Sequence, residues 1–461
     1  MKVVKFGGSS VIDAEHMERV ADLIIDTAGD TPLVAVFSAM GGVTDLLIEA
    51  ARAAEAGDSG HTRFLSRISE RSTDAAARLL GRDAPPPWIK HLLDELSDIA
   101  HGIELVHECT ARSMDLLMSF GERISCRLMS EYLAYRNVES RYIDARELIV
   151  TDNTHGAAVV DTEASYPRIK HAVDTALGSG ALVPVVTGFL AATPDGVTTT
   201  LGRNGSDFTA SLLGAALGAE AIEIWTDVDG VLSADPRAVP SAFVVPELSY
   251  QEAMELSYFG AKVIHPRTML PAVELGIPII IKNTLNPAAP GTRIAGIEPA
   301  QERLATGITS VEGIALLDVT GGGMIGTPGI ASRVFSALAR TGVNVMMISQ
   351  ASSEHSISLV FREEDAASAV AALEAELAFE MQTHQIDPFD VKGDLEIVAV
   401  IGGNMRGKAG VAGRLFTALG DEGINIHAIA QGASEMNISC VIDTTVRSRA
   451  VTALHRAFFG E

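Results

Sequence analysis

The sequence predicts an α/β fold: an open, largely parallel sheet sandwiched by helices, followed by two small ferredoxin-like βαββαβ modules. Three observations carry this. Through the first 300 residues, short runs of β-branched and aromatic residues alternate with helical stretches, the pattern of a parallel sheet covered on both faces. Two of those runs end in Gly-Gly turns that lead into helices. The remainder of the chain repeats itself at a fixed offset.

Lys2-Val3-Val4-Lys5-Phe6 reads as a short buried strand. Gly7 and Gly8 then let the backbone turn tightly, with no Cβ in the way of a ligand. Ser9 and Ser10 are placed to cap a helix through residues 14–20. A strand, a Gly-Gly turn and a helix start aim backbone N–H groups at one point, which suits a phosphate, and Lys5 adds a full positive charge. The GxxxxGK[ST] spacing of a P-loop is absent, and Gly-Gly after a strand is also ordinary turn chemistry. Leu33-Val34-Ala35-Val36-Phe37 is a second buried strand, ending in Ser38-Ala39-Met40-Gly41-Gly42-Val43-Thr44-Asp45. Residues 46–136 are mostly helical, with a break at Pro85-Pro86-Pro87. Strands return at residues 181–187, 221–225 and 277–281, and the Pro/Gly-rich stretch 286–291 closes the region near residue 300.

The repeat follows. Residues 321–331, beginning Gly321-Gly322-Gly323-Met324, return 81 positions later as residues 402–412. At the same offset Asn344 matches Asn425 and Gln350 matches Gln431. Each copy reads strand, Gly-rich turn, helix, strand, turn, strand, helix. Gly321-x-Gly323-x-x-Gly326 fits a dinucleotide fingerprint, but Asn404 breaks it in the second copy and the module is too short for that fold. The glycines are read as a tight turn facing a small ligand.

Composition narrows the function. The chain has 461 residues, 47% of them hydrophobic, and a net charge of -24, which argues against nucleic acid or anionic membranes as partners. No window approaches a transmembrane span, and a strand starting at residue 2 leaves no room for a signal or transit peptide. Three scattered cysteines fit a reduced cytoplasm.

Four further clusters lie in the first region. Glu122, in Phe120-Gly121-Glu122-Arg123, can receive an ammonium group or simply pair with Arg123 on a helix surface. In Thr199-Thr200-Leu201-Gly202-Arg203-Asn204-Gly205-Ser206-Asp207, two glycines bracket Arg203, whose guanidinium suits a bidentate grip on carboxylate or phosphate. A helix is expected to begin there at Asp207 or Phe208, so Asp207 also reads as a plain cap. Trp225-Thr226-Asp227-Val228-Asp229-Gly230 follows a strand directly, the expected place for a ligand in an open sheet and equally a turn. Asp235-Pro236-Arg237 comes next, and then Gly260-Ala261-Lys262-Val263-Ile264-His265. His265 has no His or Cys partner at ligand spacing and is read as structural. Together the clusters supply two lysines, two arginines and three acids, an inventory for phosphoryl transfer, which needs charge neutralisation and positioning more than covalent help.

On these residues the chain resembles the aspartate kinases of the amino-acid kinase superfamily. KFGGSSV, SAMGGVTD, SFGER, TTLGRNGSD, WTDVDGV, DPR, FGAKVIHPR and tandem ACT-type modules stand in the family's order over essentially the whole chain. The resemblance implies a kinase domain over 1–300, with 1–180 mainly for aspartate and 181–300 mainly for nucleotide. ACT modules would span 305–385 and 386–461, with a strand from 305–315 as candidate to complete the second. It implies transfer of the ATP γ-phosphoryl group to the side-chain carboxylate of L-aspartate, in the cytoplasm. By resemblance Lys5 and Asp207 are catalytic, and Lys5, Gly7, Gly8 and Ser9 bind phosphate. Ser38, Thr44, Glu122, Arg203, Gly205 and Ser206 bind aspartate; Thr226, Asp227, Arg237 and Lys262 bind the nucleotide. Mg2+ would come with ATP, with no protein metal site.

ISQASSEHSIS and IAQGASEMNIS are similar to threonine-sensitive members, and Met346 stands where lysine-sensitive relatives carry Asp. Threonine is therefore the expected effector, at Met324, Asn344, Gln350, Asn425 and Gln431, where modules of two chains meet in a homo-oligomer, a dimer or tetramer. The chain ends after the second module, which implies a monofunctional member. Two positions depart from the family: Asn204 stands where Gly is frequent, and Leu232 where Tyr is. The alternatives are a kinase for glutamate or N-acetylglutamate, and a catalytically inactive amino-acid sensor.

Overall fold

The computed structural model describes residues 1–29, 32–82, 84–260, 265–296, 303–350 and 355–460. They form two compact units, one of residues 1–231, 246–250 and 263–297, the other of 232–245, 251–262 and 298–461.

The first unit opens with β1 (Lys2–Phe6), α1 (Ala14–Ala28) and β2 (Leu33–Phe37). Four helices follow: α2 (Val43–Glu55), α3 (His61–Leu80), α4 (Pro87–Val106) and α5 (Ala111–Tyr135). The chain continues through β3 (Ser140–Ile143), β4 (Val150–Thr151), β5 (Val160–Asp161), α6 (Thr162–Gly178) and β6 (Val183–Thr187). Then come β7 (Leu190–Ala192), β8 (Thr198–Thr200), α7 (Gly205–Leu217) and β9 (Ala221–Thr226). β10 (Glu247–Ser249) leads into α8 (Tyr250–Tyr258), of which all but Tyr250 belongs to the second unit. α9 (Pro266–Glu274), β11 (Ile279–Asn283) and β12 (Thr292–Ala295) complete the first.

Eight of these strands make one sheet in the order β10-β12-β11-β9-β1-β2-β6-β3, with every pairing parallel except β11 with β12. A small second sheet, β5-β4-β7-β8, stands beside it. Successive strand residues point to opposite faces. Phe6 therefore turns away from Lys5 and stacks with Phe37 and Trp225 at centroid distances of 5.3 and 5.9 Å, inside the core built on α1 to α5.

Two local expectations change. Asp13, and not Ser9 or Ser10, caps α1, its carboxylate accepting the His16 N–H at 3.0 Å. A cap must directly precede the first helical residue, and Ser9 and Ser10 are held in a short turn over Gly8–Ser10. Helix α7 begins at Gly205, behind a left-handed Asn204 (φ 57°). Asp207 is thus the third helical residue, free of capping and able to face the sheet.

In the second unit, β13 (Gly307–Thr320), α10 (Ile330–Arg340), β14 (Met347–Gln350), β15 (Ser356–Arg362), α11 (Ala366–Glu376) and α12 (Ala378–Gln382) form the first copy. β16 (Asp390–Ile401), α13 (Val411–Asp421), β17 (Ala428–Gln431), β18 (Asn437–Asp443) and α14 (Arg447–Phe459) form the second. Their strands join in one antiparallel sheet, β14-β15-β13-β16-β18-β17. The fingerprint-like glycines make a short turn over Gly322–Met324, in an antiparallel sheet with none of the βαβ units a dinucleotide requires. The side chain of Arg447 gathers three acids of this unit, Glu396 at 2.9 Å, Asp235 at 2.9 Å and Glu312 at 3.1 Å.

Candidate active site

The carboxyl end of β1 sets the site. Register places Lys5 beside Val36 of β2 and Ile224 of β9, so its ammonium leaves the sheet among apolar neighbours. Asp207 answers that charge: Nζ lies 2.5 Å from Oδ1, with the two side chains 11% and 7% exposed. Removing either partner would leave the other ion buried and uncompensated.

The two Gly-Gly turns lie backbone to backbone beside this pair. A Cβ on Gly8 would stand 3.2 Å from the Ala39 carbonyl oxygen, and one on Gly41 only 2.9 Å from that of Gly8. Arg71 of α3 fastens the same corner, its Nη2 donating to the carbonyls of Ile12 and Gly41 at 2.8 Å each. Gly7 lies against the Lys5 ammonium, since a Cβ there would stand 3.4 Å from Nζ, and its N–H donates to the Trp225 carbonyl at 3.3 Å, which shapes the turn. Ser9 is exposed at the rim.

The end of β2 mirrors that of β1. Ser38 Oγ donates to Ser206 Oγ at 2.9 Å, reaching the first turn of α7, and the Ser38 carbonyl accepts from Ser125 Oγ at 2.8 Å. Gly188 permits the approach, since a Cβ there would fall 2.5 Å from Ser206 Oγ. Gly205, like Ser206, is buried in that turn, and Thr44 is half-buried in the first turn of α2.

Glu122 is not a surface helix charge. Arg123 pairs instead with Glu95 at 3.2 Å, while Glu122 is 3% exposed. Its Oε1 accepts the Ala39 N–H at 3.1 Å, and its Oε2 has no hydrogen-bond partner among the described residues. Burial pushes the carboxyl up to about 8, against the opposing pull of the Ala39 N–H. A buried acid with one oxygen left over can receive a cation.

Arg203 is exposed in the turn that precedes α7 and forms no ion pair among the described residues. His265 caps α9, its Nδ1 accepting the Arg267 N–H at 3.3 Å. Burial foremost, then the Arg203 and Arg267 charges, lower its pKa.

Thr226 ends β9, its Oγ1 donating to Asp227 Oδ1 at 3.1 Å, and Asp227 is exposed. Lys282 stands 4.8 Å over the Trp225 ring on the neighbouring strand. Arg237 belongs to the second unit, where it clamps Asp235 at 3.1 and 2.8 Å and draws that carboxyl down to about 2. Lys262 lies outside the described residues.

The first unit thus brings Lys5, Gly8, Ser38, Glu122, Ser206 and Asp207 to the ends of β1 and β2. Sequence reading missed Gly188, Arg71 and Lys282. Gly188 carried the same signal as Gly7, a glycine directly after a buried strand. In the second unit Met324 is buried, while Asn344, Gln350, Asn425 and Gln431 are exposed. Gln350 and Gln431 end β14 and β17, the last strands of the sheet order, which come into contact with each other. No group of three or more His, Cys, Asp or Glu side chains among the described residues can hold a metal ion. No helix of the described residues is long and apolar enough to cross a membrane.

Comparison with known proteins agrees with this geometry. Residues 1–283 match the amino acid kinase family, and residues 317–377 and 398–458 each match the ACT domain. The bifunctional aspartokinase/homoserine dehydrogenase of Haemophilus influenzae is 38% identical over 472 residues, covering 100% of this chain and 57% of that protein. Aspartokinase 1, chloroplastic, of Arabidopsis thaliana is 38% identical over 475 residues, covering 99% of this chain and 80% of its own. E. coli aspartokinase III, in its R-state crystal structure with aspartate and ADP, matches at a TM-score of 0.84 and 31% identity over 100% of both chains. The chain belongs to the amino acid kinase family, among its aspartokinases. It spans about half the length of the bifunctional relatives, 57% and 50% of the first two.

Proposed function

We propose that the chain is an ATP-dependent aspartate kinase, moving the γ-phosphoryl group of ATP to the side-chain carboxylate of L-aspartate to give 4-phospho-L-aspartate. This is the first step toward lysine, threonine and methionine. The observation that carries the reading is the buried Lys5–Asp207 pair together with Glu122, whose idle oxygen asks for a cation.

The nucleophile is a carboxylate, ionised at neutral pH, so no general base is needed. The task is to bring two anions together. Lys5 meets the phosphoryl group, and Asp207 holds the Lys5 ammonium in place. Arg203, exposed in its turn, grips the α-carboxylate, while Glu122 takes the ammonium. Ser38, Thr44, Gly205 and Ser206 line the space between. Gly7, Gly8 and Ser9 face the phosphates, and Thr226, Asp227, Arg237 and Lys262 take the nucleotide. Magnesium bound with the nucleotide would supply charge neutralisation at the phosphates.

The exposed Gln350 and Gln431, with Asn344 and Asn425, offer uncharged hydrogen-bonding groups that suit threonine better than lysine. Such a site is completed between two chains of a cytoplasmic homo-oligomer, with Met324 packing beneath it. The deciding assay is ADP release with aspartate, glutamate and N-acetylglutamate in turn, trapping the acyl phosphate with hydroxylamine. Turnover with aspartate alone is expected. Preference for another acid points to a different kinase, and no turnover with any of them to a sensor.

A further inference from the structure

Helix α5 carries a second buried acid. Asp115 stands seven residues before Glu122, two helical turns away and so on the same face. It is 0% exposed, and every partner it holds comes from one corner of the fold. Thr200 Oγ1 donates to Oδ1 at 2.6 Å. The Gly156 N–H reaches Oδ1 at 3.2 Å and Oδ2 at 3.1 Å, and His155 Nδ1 lies 2.8 Å from Oδ2. The His155 side chain is itself only 12% exposed.

That corner is the one that delivers Arg203. Ala158 N–H donates to the Thr200 carbonyl at 2.9 Å, tying the 155–158 loop to the end of β8. Gly202 packs on the same loop, since a Cβ there would stand 3.1 Å from Ala157 Cβ and 3.2 Å from the Gly156 carbonyl oxygen. Gly202 also adopts a φ of 77°, which other residues resist. Arg203 is the next residue. One rigid helix therefore holds Glu122 directly and the Arg203 turn through Asp115.

We propose that Asp115, oriented with His155, is a positioning residue that fixes the span between Glu122 and Arg203, and so the distance between the ammonium and α-carboxylate that the site accepts. The inference rests on the function proposed above. A carboxylate suits the task because its two oxygens can serve all three donors at once. An amide in its place turns one oxygen into a donor facing N–H or O–H groups.

The test is steady-state kinetics of Asp115→Asn, His155→Ala and His155→Asn, with melting temperatures and each substrate varied in turn. Asparagine at 155 can place its amide N–H where Nδ1–H stands, so it keeps the bond that alanine loses. Asp115→Asn and His155→Ala are expected to raise the aspartate KM about tenfold or more, with the ATP KM and kcat within about threefold and His155→Asn near wild type. The inference is overturned if wild type turns over aspartate while the aspartate and ATP KM values of Asp115→Asn move together or not at all. It is equally overturned if His155→Asn behaves like His155→Ala, the arm that decides if Asp115→Asn does not fold. Wild type without aspartate-dependent turnover overturns the function itself, and this inference with it.

Discussion

Glu122→Gln separates what this residue costs the fold from what it gives the substrate. Folding raises the Glu122 carboxyl from 4.5 to about 8. Between those values the folded chain holds a proton that the unfolded chain has lost. Stability therefore falls as pH rises through this window, and the penalty is complete above about pH 8. Over about 3.5 pH units, at about 1.4 kcal/mol each, it approaches about 5 kcal/mol. Glutamine keeps an oxygen for the Ala39 N–H but leaves its own amide hydrogens unsatisfied, which costs about 1–3 kcal/mol. The net expectation is a ligand-free Glu122→Gln protein more stable than wild type by about 2–4 kcal/mol near pH 8.5, with no advantage near pH 5. Thermal melts at both pH values read this directly. The same logic makes aspartate binding release close to one proton per site at about pH 7, as the incoming ammonium ionises the carboxyl. Titration calorimetry in buffers of different ionisation enthalpy counts that proton. A melting difference that ignores pH, or binding without proton release, would refute the reasoning.

Lys5→Ala should lose about a hundredfold or more in turnover. It should also destabilise the fold by about 3–5 kcal/mol, because Asp207 is left as an uncompensated buried charge. Adding Asp207→Asn should recover the melting temperature without recovering activity, and recovery of both would remove Lys5 from the chemistry. Arg203→Ala should raise the aspartate KM about tenfold or more while leaving that of ATP nearly unchanged, and an effect confined to ATP would reassign the residue to the phosphates. Threonine at millimolar concentration should inhibit and lysine should not, with Gln350→Ala or Gln431→Ala weakening the inhibition and sparing basal turnover. Activity flat in both amino acids would leave the repeats as a purely structural module.

Much of the site was legible because its residues sit at strand ends, where the pattern breaks. Lys5 and the Gly-Gly turns announce themselves by interrupting apolar runs. Glu122 was legible as a candidate but not as a buried one, since its neighbour Arg123 offers a ready local partner and only the packed helix shows the pair unmade. Ser38 and Ser206 lie 168 positions apart, and nothing local in either indicates the other. Asp115 and His155 were invisible for the same reason: an acid inside a helix and a histidine in a loop gain meaning only when the fold brings them to 2.8 Å. Arg237 shows the converse. Its motif was plain, but two residues of spacing let the guanidinium fold back on Asp235, a contact the motif did not announce.

The long strand β13 bears on how the two repeats can be taken apart. Its first half, residues 307–311, runs along residues 397–401 of β16, and beyond a bulge at Glu312 and left-handed Gly313 its second half pairs with β15 on one side and the start of β16 on the other. Each copy therefore borrows backbone from a strand it does not own outright. A truncation after residue 385 would strip residues 307–311 of their β16 partner, while one beginning at residue 386 would strip β16 of its β13 neighbour. Expressed singly, either copy would offer a raw sheet edge, the surface on which chains aggregate. The duplication has become one indivisible piece, and the smallest regulatory fragment worth purifying is both copies together, begun upstream of Gly307.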